Sequence, residues 1–447
     1  MALSSLRPLR SRNFALVWSS ALVSNVGTWM QTVALGTLIT LESHNALWTA
    51  LVMAAGFLPM GLFAPVGGVL ADRLDRRRWL IVTTIAEAAV AFVLATLVAN
   101  HHQSPMVLVV LSFVGGSAGA LGFPAYQAML PDLVDRDDLL AAVSLSSAQW
   151  NMGRVLGPAI AGVVLVTWSP AVAFAINAVS FGAVVIALVF VHLPARPRAA
   201  ESLSVFARLK AGVTAARDEP ACRSAIILIS IVALLGSPFI GLVASVAIDG
   251  LHRRAGGPAV LTTAQGIGAV VGALALAPLA KWVGQRRVVS VALLSFCAAL
   301  VLYGAAPTLG LAAIGIMLVG ASYIGVLSGL NTVVQLRAPE AVRGRILSIY
   351  MTALGVIYPI GLIIEGAIGQ AIGIRLMTVI SGVLLAAMIG ALRLFRPSVL
   401  RSLGPVEVDE RRDTSVAEVA EIDLGARLEG ERSLDHRRPG MVDHIDR

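Results

Sequence analysis

Three ionisable side chains stand in the middle of otherwise apolar runs: Glu87, Arg154 and Glu365. Charge inside a membrane-length apolar run is costly, so each is a functional candidate by default. A carboxyl group that faces water on one side of a membrane and then on the other can carry a proton across. Proton coupling is therefore one reading of Glu87, Glu365 and Arg154. The other reading of Glu87 is a structural hydrogen bond or an ion pair with Arg154. Arg154 shares a helix face with Asn151 and Pro158, and the ridge Gly153, Gly157, Ala161 beside it would let a second helix approach closely. A second constellation is Gly68, Asp72, Arg73, Asp75, Arg76, Arg77 and Arg78, where an apolar run stops and another starts at Trp79. Its charges can pair with carboxylates or lipid phosphates, or simply fix orientation.

Weaker polar and aromatic positions could line a solute chamber. Asn25, Trp29, Thr32 and Gly36 recur at helical spacing, as do Ser328, Asn331 and Gln335. Tyr126 with Gln127, and Tyr358 seven residues before Glu365, are further candidates. Together they imply a mostly apolar chamber with a few polar contacts, suited to a small amphipathic molecule.

The elements that must position these residues are membrane spans. The 447-residue chain is 57% hydrophobic and 13% charged, with a mean hydropathy of +0.83. That charged fraction is about half of what soluble domains carry. Apolar runs fall at 14–40, 47–70, 79–99, 105–130, 140–167 and 170–192, then at 224–249, 260–281, 287–305, 308–335, 344–370 and 372–395. Each is close to the roughly 20 residues a helix needs to cross a bilayer, and helices satisfy their own backbone in lipid. Twelve transmembrane helices are predicted. With the N-terminus in the cytoplasm, 20 Lys and Arg fall in inner segments and 3 in outer ones, which sets the topology with both termini inside. The net charge of +8 is accounted for by these loops, so no nucleic-acid partner is expected.

The predicted organisation is a first six-helix bundle over 1–192, a cytoplasmic linker over 193–223, a second six-helix bundle over 224–395 and a disordered cytoplasmic tail over 396–447. Within the linker, Leu203, Phe206, Leu209 and Val213 recur at helical spacing. A short helix on the inner membrane surface and a plain linker are both compatible with that pattern. The halves echo each other: Pro131-Asp132-Leu133-Val134 and Pro339-Glu340-Ala341-Val342 each precede a span, and Pro158 has a counterpart in Pro359. Repeated six-helix halves place a substrate site between them near mid-membrane. Cys222 and Cys297 form no disulfide framework, His101-His102 lacks further metal ligands, and no P-loop is present. No enzyme activity, metal or cofactor is expected.

The run from Gly68 through Asp72, Arg73, Arg76 and Arg77 resembles the loop motif between the second and third spans of the major facilitator superfamily, with Asp75 where Gly is usual. Gly153-Arg154-Val155-Leu156-Gly157-Pro158, followed by Gly162, is similar to the glycine–proline motif of antiporters in that superfamily. With Phe123-Pro124-Ala125-Tyr126 and Asn151, the chain resembles the branch holding enterobactin exporter-like and macrolide efflux-like permeases. The resemblance covers about 14–395. It implies an all-α fold of two pseudo-symmetric six-helix bundles in a bacterial inner membrane, working by alternating access as a monomer. Proton-driven export of a drug, macrolide or siderophore is the implied activity. Gly68, Asp72, Arg73, Arg76 and Arg77 are then a conformational latch, and Gly153, Gly157, Pro158 and Gly162 a sealing hinge. Asn25, Trp29, Tyr126, Asn331 and Tyr358 become cavity candidates. The span-four Arg of many proton-driven drug exporters is missing from Leu111–Pro124. An importer or lipid flippase of the same fold, and a non-transporting sensor that signals through the tail, are the alternatives.

Overall fold

The computed structural model describes residues 6–191, 205–253, 256–340 and 342–404, and every regular element among them is a helix. Most of the predicted tail thus lies outside the described residues, as do the linker positions 193–204. The first group of long helices is α1 (Arg12–Ser43), α2 (Ala46–Arg73), α3 (Arg76–Ala99), α4 (Pro105–Leu133), α5 (Leu139–Thr167) and α6 (Pro170–Phe190). A shorter helix, α7 (Val205–Asp218), precedes the second group. That group is α8 (Pro220–Gly250), α9 (Gly257–Val283), α10 (Gln285–Ala305), α11 (Leu309–Arg337), α12 (Arg343–Ile372) and α13 (Ile374–Phe395), followed by one turn, α14 (Pro397–Arg401).

Eleven of these helices are long and apolar enough to cross a membrane. The twelfth, α1, has 32 residues but spends several on Ser19, Ser20, Ser24, Asn25, Thr28, Gln31 and Thr32. Local chemistry sets the ends. Asn45 accepts from the backbone amides of Leu47 and Trp48 and starts α2. Ser104 caps α4 and Thr308 caps α11 in the same way. Gly373, at φ +95°, turns the chain between α12 and α13 where a Cβ would be strained. Pro238 interrupts α8, which passes through two wide π turns at Val232–Gly236 and Val246–Gly250.

The two groups repeat one arrangement. α2 packs along α4 as α9 packs along α11, and α3 lies against α4 and α6 as α10 lies against α11 and α13. The groups join where α2 meets α12 and where α5 meets α9. α7 is helical and packs on α12, where Gly212 sits against the carbonyl of Arg345. Residues 396–404 depart from the expected disorder. Val399 and Leu403 are buried and Ser402 donates to Ser224 in α8 at 2.9 Å, so apolar burial holds this stretch where composition alone pointed to a tail.

Candidate transport site

The charged hairpin joins α2 to α3. Asp75 caps α3, its carboxylate accepting from the Arg78 amide at 2.8 Å. Its φ of −63° is one any residue adopts, so this turn has no need of a glycine. Arg76 donates to the Ala128 carbonyl at 2.9 Å and meets Asp132 at 3.4 Å, both near the end of α4. Arg77 donates to the Leu188 and Val189 carbonyls at the end of α6, at 2.5 and 2.6 Å. A cation at a helix C-terminus satisfies carbonyls that have no partner within the helix. In this conformation Arg76 and Arg77 therefore brace the first six helices and do not reach α12. Gln285 repeats the Arg76 bond without charge, donating to the Gly329 carbonyl of α11. Asp72 and Arg73 occupy the last turn of α2, and a Cβ at Gly68 would meet open space.

The opposite end of the molecule is closed. His44 Nδ1, at the end of α1, lies 3.2 Å from Asp249 Oδ1 of α8. The Ala46 amide donates to Gln370 Oε1 of α12 at 2.7 Å. Gly36 packs on Ala244, and a Cβ at Gly162 would stand 2.9 Å from that of Ala259. Below this seal lies a cavity of about 30 Å³ bordered by Trp29, Thr32, Phe57, Thr262 and Gln265. That is room for water but not for a drug-sized solute, which needs roughly 300–1,000 Å³. Toward the hairpin end, Gln127 and Gln335 are exposed, as solvent-facing groups would be.

At mid-membrane, Gly153 and Gly157 let α5 lie against the backbone of α1. A Cβ at Gly157 would be 2.5 Å from Trp29 Cβ and 2.7 Å from the Val26 carbonyl. This approach sets the Trp29 indole 5.4 Å from the Arg154 guanidinium. Asn25 is also on this seam, its Cβ against Gly153. Trp150, one turn before Arg154, meets Trp29 edge-on at 6.4 Å and Phe123 of α4 at 6.3 Å. From the second group, Tyr323 of α11 comes within electrostatic reach of Arg154, its hydroxyl 3.0 Å from Ser237.

The structure does not assemble all sequence candidates at one place. Glu87 is not paired with Arg154. It packs instead against Gly119 of α4. Glu365 is buried at 4% exposure beside Ser381 of α13, and its Oε1 has no hydrogen-bond partner among the described residues. Tyr358 is buried edge-on against Phe57 of α2 at 5.4 Å, at the α2–α12 junction. Tyr126 of α4 is half-buried and donates to Gln149 of α5, which is buried. Pro158 is buried behind the α1–α5 seam. Asn331 bonds Gln335 on its own helix. Sequence reasoning passed over Trp150, Gln265, Tyr323 and the His44–Asp249 bridge. Gln265 and Tyr323 were visible as isolated polar positions in apolar runs, whereas the bridge joins residues 205 apart.

A family profile of transmembrane secretion effectors matches residues 3–422. The chain belongs to this family of the major facilitator superfamily. It is a multi-pass membrane transporter of small molecules and not an enzyme. It is 26% identical over 371 residues to the multidrug efflux pump Tap of Mycolicibacterium fortuitum, covering 80% of this chain and 90% of that protein. It is 23% identical over 381 residues to macrolide efflux protein A of Streptococcus pyogenes, covering 83% and 93%. In fold it matches a bacterial homologue of the human lysosomal transporter Spinster, solved in an inward-facing conformation. The TM-score is 0.70 at 14% identity, over 88% of this chain and 98% of that one.

Proposed function

We propose that this transporter exports small amphipathic compounds such as drugs, macrolides or siderophores from a bacterial cytoplasm in exchange for protons. The observation that carries the coupling is Glu365, a carboxyl group buried in α12 with an unpartnered oxygen. A carboxyl group there costs least when neutral, and gains by losing its proton only when the outer end opens to water. Glu87 is the second proton site, in the first group of helices. Efflux activity in Tap and macrolide efflux protein A, over most of both chains, supports export as the direction.

The chain sits in the inner membrane in this reading, and the Lys and Arg bias supports an orientation with both termini and the 72–78 hairpin in the cytoplasm. The closed end is then the outer one, and the conformation is ready to load from inside. In the alternate conformation, Gly68, Asp72 and Arg73 meet the start of α12 and latch the inner end. Arg76 and Arg77 hold that hairpin rigid in both. The working unit is the monomer, in contact with annular lipid, with the two halves divided by the 193–223 segment.

The test is accumulation of an exported drug in a pump-deficient bacterium expressing the chain. Wild-type expression lowers accumulation, an uncoupler abolishes the effect, and Glu365→Gln removes it at equal membrane abundance. Raised accumulation on expression, or efflux indifferent to the uncoupler, overturns the reading.

A further inference from the structure

Arg154 carries a mid-span charge that no described residue matches. No hydrogen bond or ion pair to its guanidinium occurs among the described residues, and the two intramembrane carboxyl groups face Gly119 and Ser381. What surrounds it is aromatic: the Trp29 face at 5.4 Å, Trp150 one turn away, and Phe123 beyond. Tyr323 and Ser237 add a hydroxyl pair from the other half. An unpaired cation at the centre of a span costs a few kcal/mol unless water or an anion meets it. Arg154 is half-buried and Trp150 is 44% exposed, so neither is sealed in the core.

We infer that Arg154, with Trp29, Trp150 and Phe123, forms the head-group site for organic anions that carry an aromatic body. The anionic head, a carboxylate, sulfonate or phenolate, pairs with the Arg154 guanidinium. The flat body stacks on Trp150 and Phe123, toward the hairpin end. A guanidinium held against one aromatic face still offers its edge N–H donors to an oxyanion. This rests on the chamber being the transport site, and narrows its occupants from amphipathic compounds in general to anionic ones.

Equilibrium dialysis of the full-length purified chain in nanodiscs tests it, with naphthalene-2-sulfonate and its neutral analogue naphthalene-2-sulfonamide as probes. The two share a body and differ in charge. Wild type should prefer the sulfonate about 10- to 100-fold, the value of a charge-assisted hydrogen bond. Arg154→Gln should erase that preference while leaving sulfonamide binding within about threefold, and Arg154→Lys should keep part of it. Trp150→Ala should weaken both probes alike. Equal wild-type affinity for the two probes overturns the proposal without recourse to any variant, as does an Arg154→Gln chain that still prefers the sulfonate. Binding in nanodiscs needs no gradient. Failure of export with the sulfonate preference intact sinks the efflux reading alone, and drug export without that preference sinks only this one.

Discussion

Gly162→Ala should open the outer end. Gly162 of α5 faces Ala259 in the first turn of α9, and an added methyl would stand 2.9 Å from the Ala259 Cβ. Carbon atoms rest at about 3.5–4.0 Å, so α5 and α9 must part by about 0.6–1.1 Å there. Overpacking of one methyl costs about 1–3 kcal/mol. Replacing glycine by alanine also favours the helix by up to about 1 kcal/mol, but α5 is helical in both conformations, so that gain cancels in their ratio. The closed-to-open ratio should fall about 5- to 150-fold. The readout is labelling of Thr32→Cys, on the cavity wall, by a membrane-impermeant maleimide added outside; native Cys222 and Cys297 are both buried. Gly162→Ala should speed labelling, and Ala259→Gly in the same chain should reverse the effect by restoring the gap. Unchanged labelling in Gly162→Ala, or a double variant that labels as fast as the single one, refutes the reasoning.

Three further outcomes follow from the same contacts. Asp75→Ala should lower thermal stability by about 1 kcal/mol through loss of the α3 cap, whereas Asp75→Gly should cost only a few tenths; equal losses would show that the cap is not the reason for Asp75. Arg77→Ala leaves the Leu188 and Val189 carbonyls without their donors and should destabilise by about 1–3 kcal/mol, read as a lower midpoint in nanodiscs. His44→Ala removes the half-exposed bridge to Asp249 and, at about 0.5–1 kcal/mol, should raise outer labelling of Thr32→Cys about two- to fivefold.

The helices were legible because lipid demands long apolar runs, and their ends because Pro105, Pro170, Gly373 and the charged hairpin announce them. Close approach of some helix to α5 was legible in Gly153 and Gly157, which bear no side chain there, but that the helix is α1 was not. Pairings across the chain were not. Nothing in the local pattern around Tyr126 tells that it bonds Gln149 of α5. Nor does composition tell that Arg76 and Arg77 satisfy the ends of α4 and α6, since an arginine near an interface reads equally as latch, lipid contact or topological signal. The partners of Glu87 and Glu365 are likewise set by helix rotation, which a sequence with glycine on several faces leaves open.

Proton-coupled export is tested most directly in proteoliposomes that hold the purified chain and a pH-sensitive dye. With an exported drug loaded inside and no imposed gradient, outward drug movement should draw protons in and acidify the lumen. Glu365→Gln should abolish that signal. Drug movement of wild-type rate with no change in lumenal pH, unaffected by collapse of both the pH gradient and the membrane potential, would contradict it.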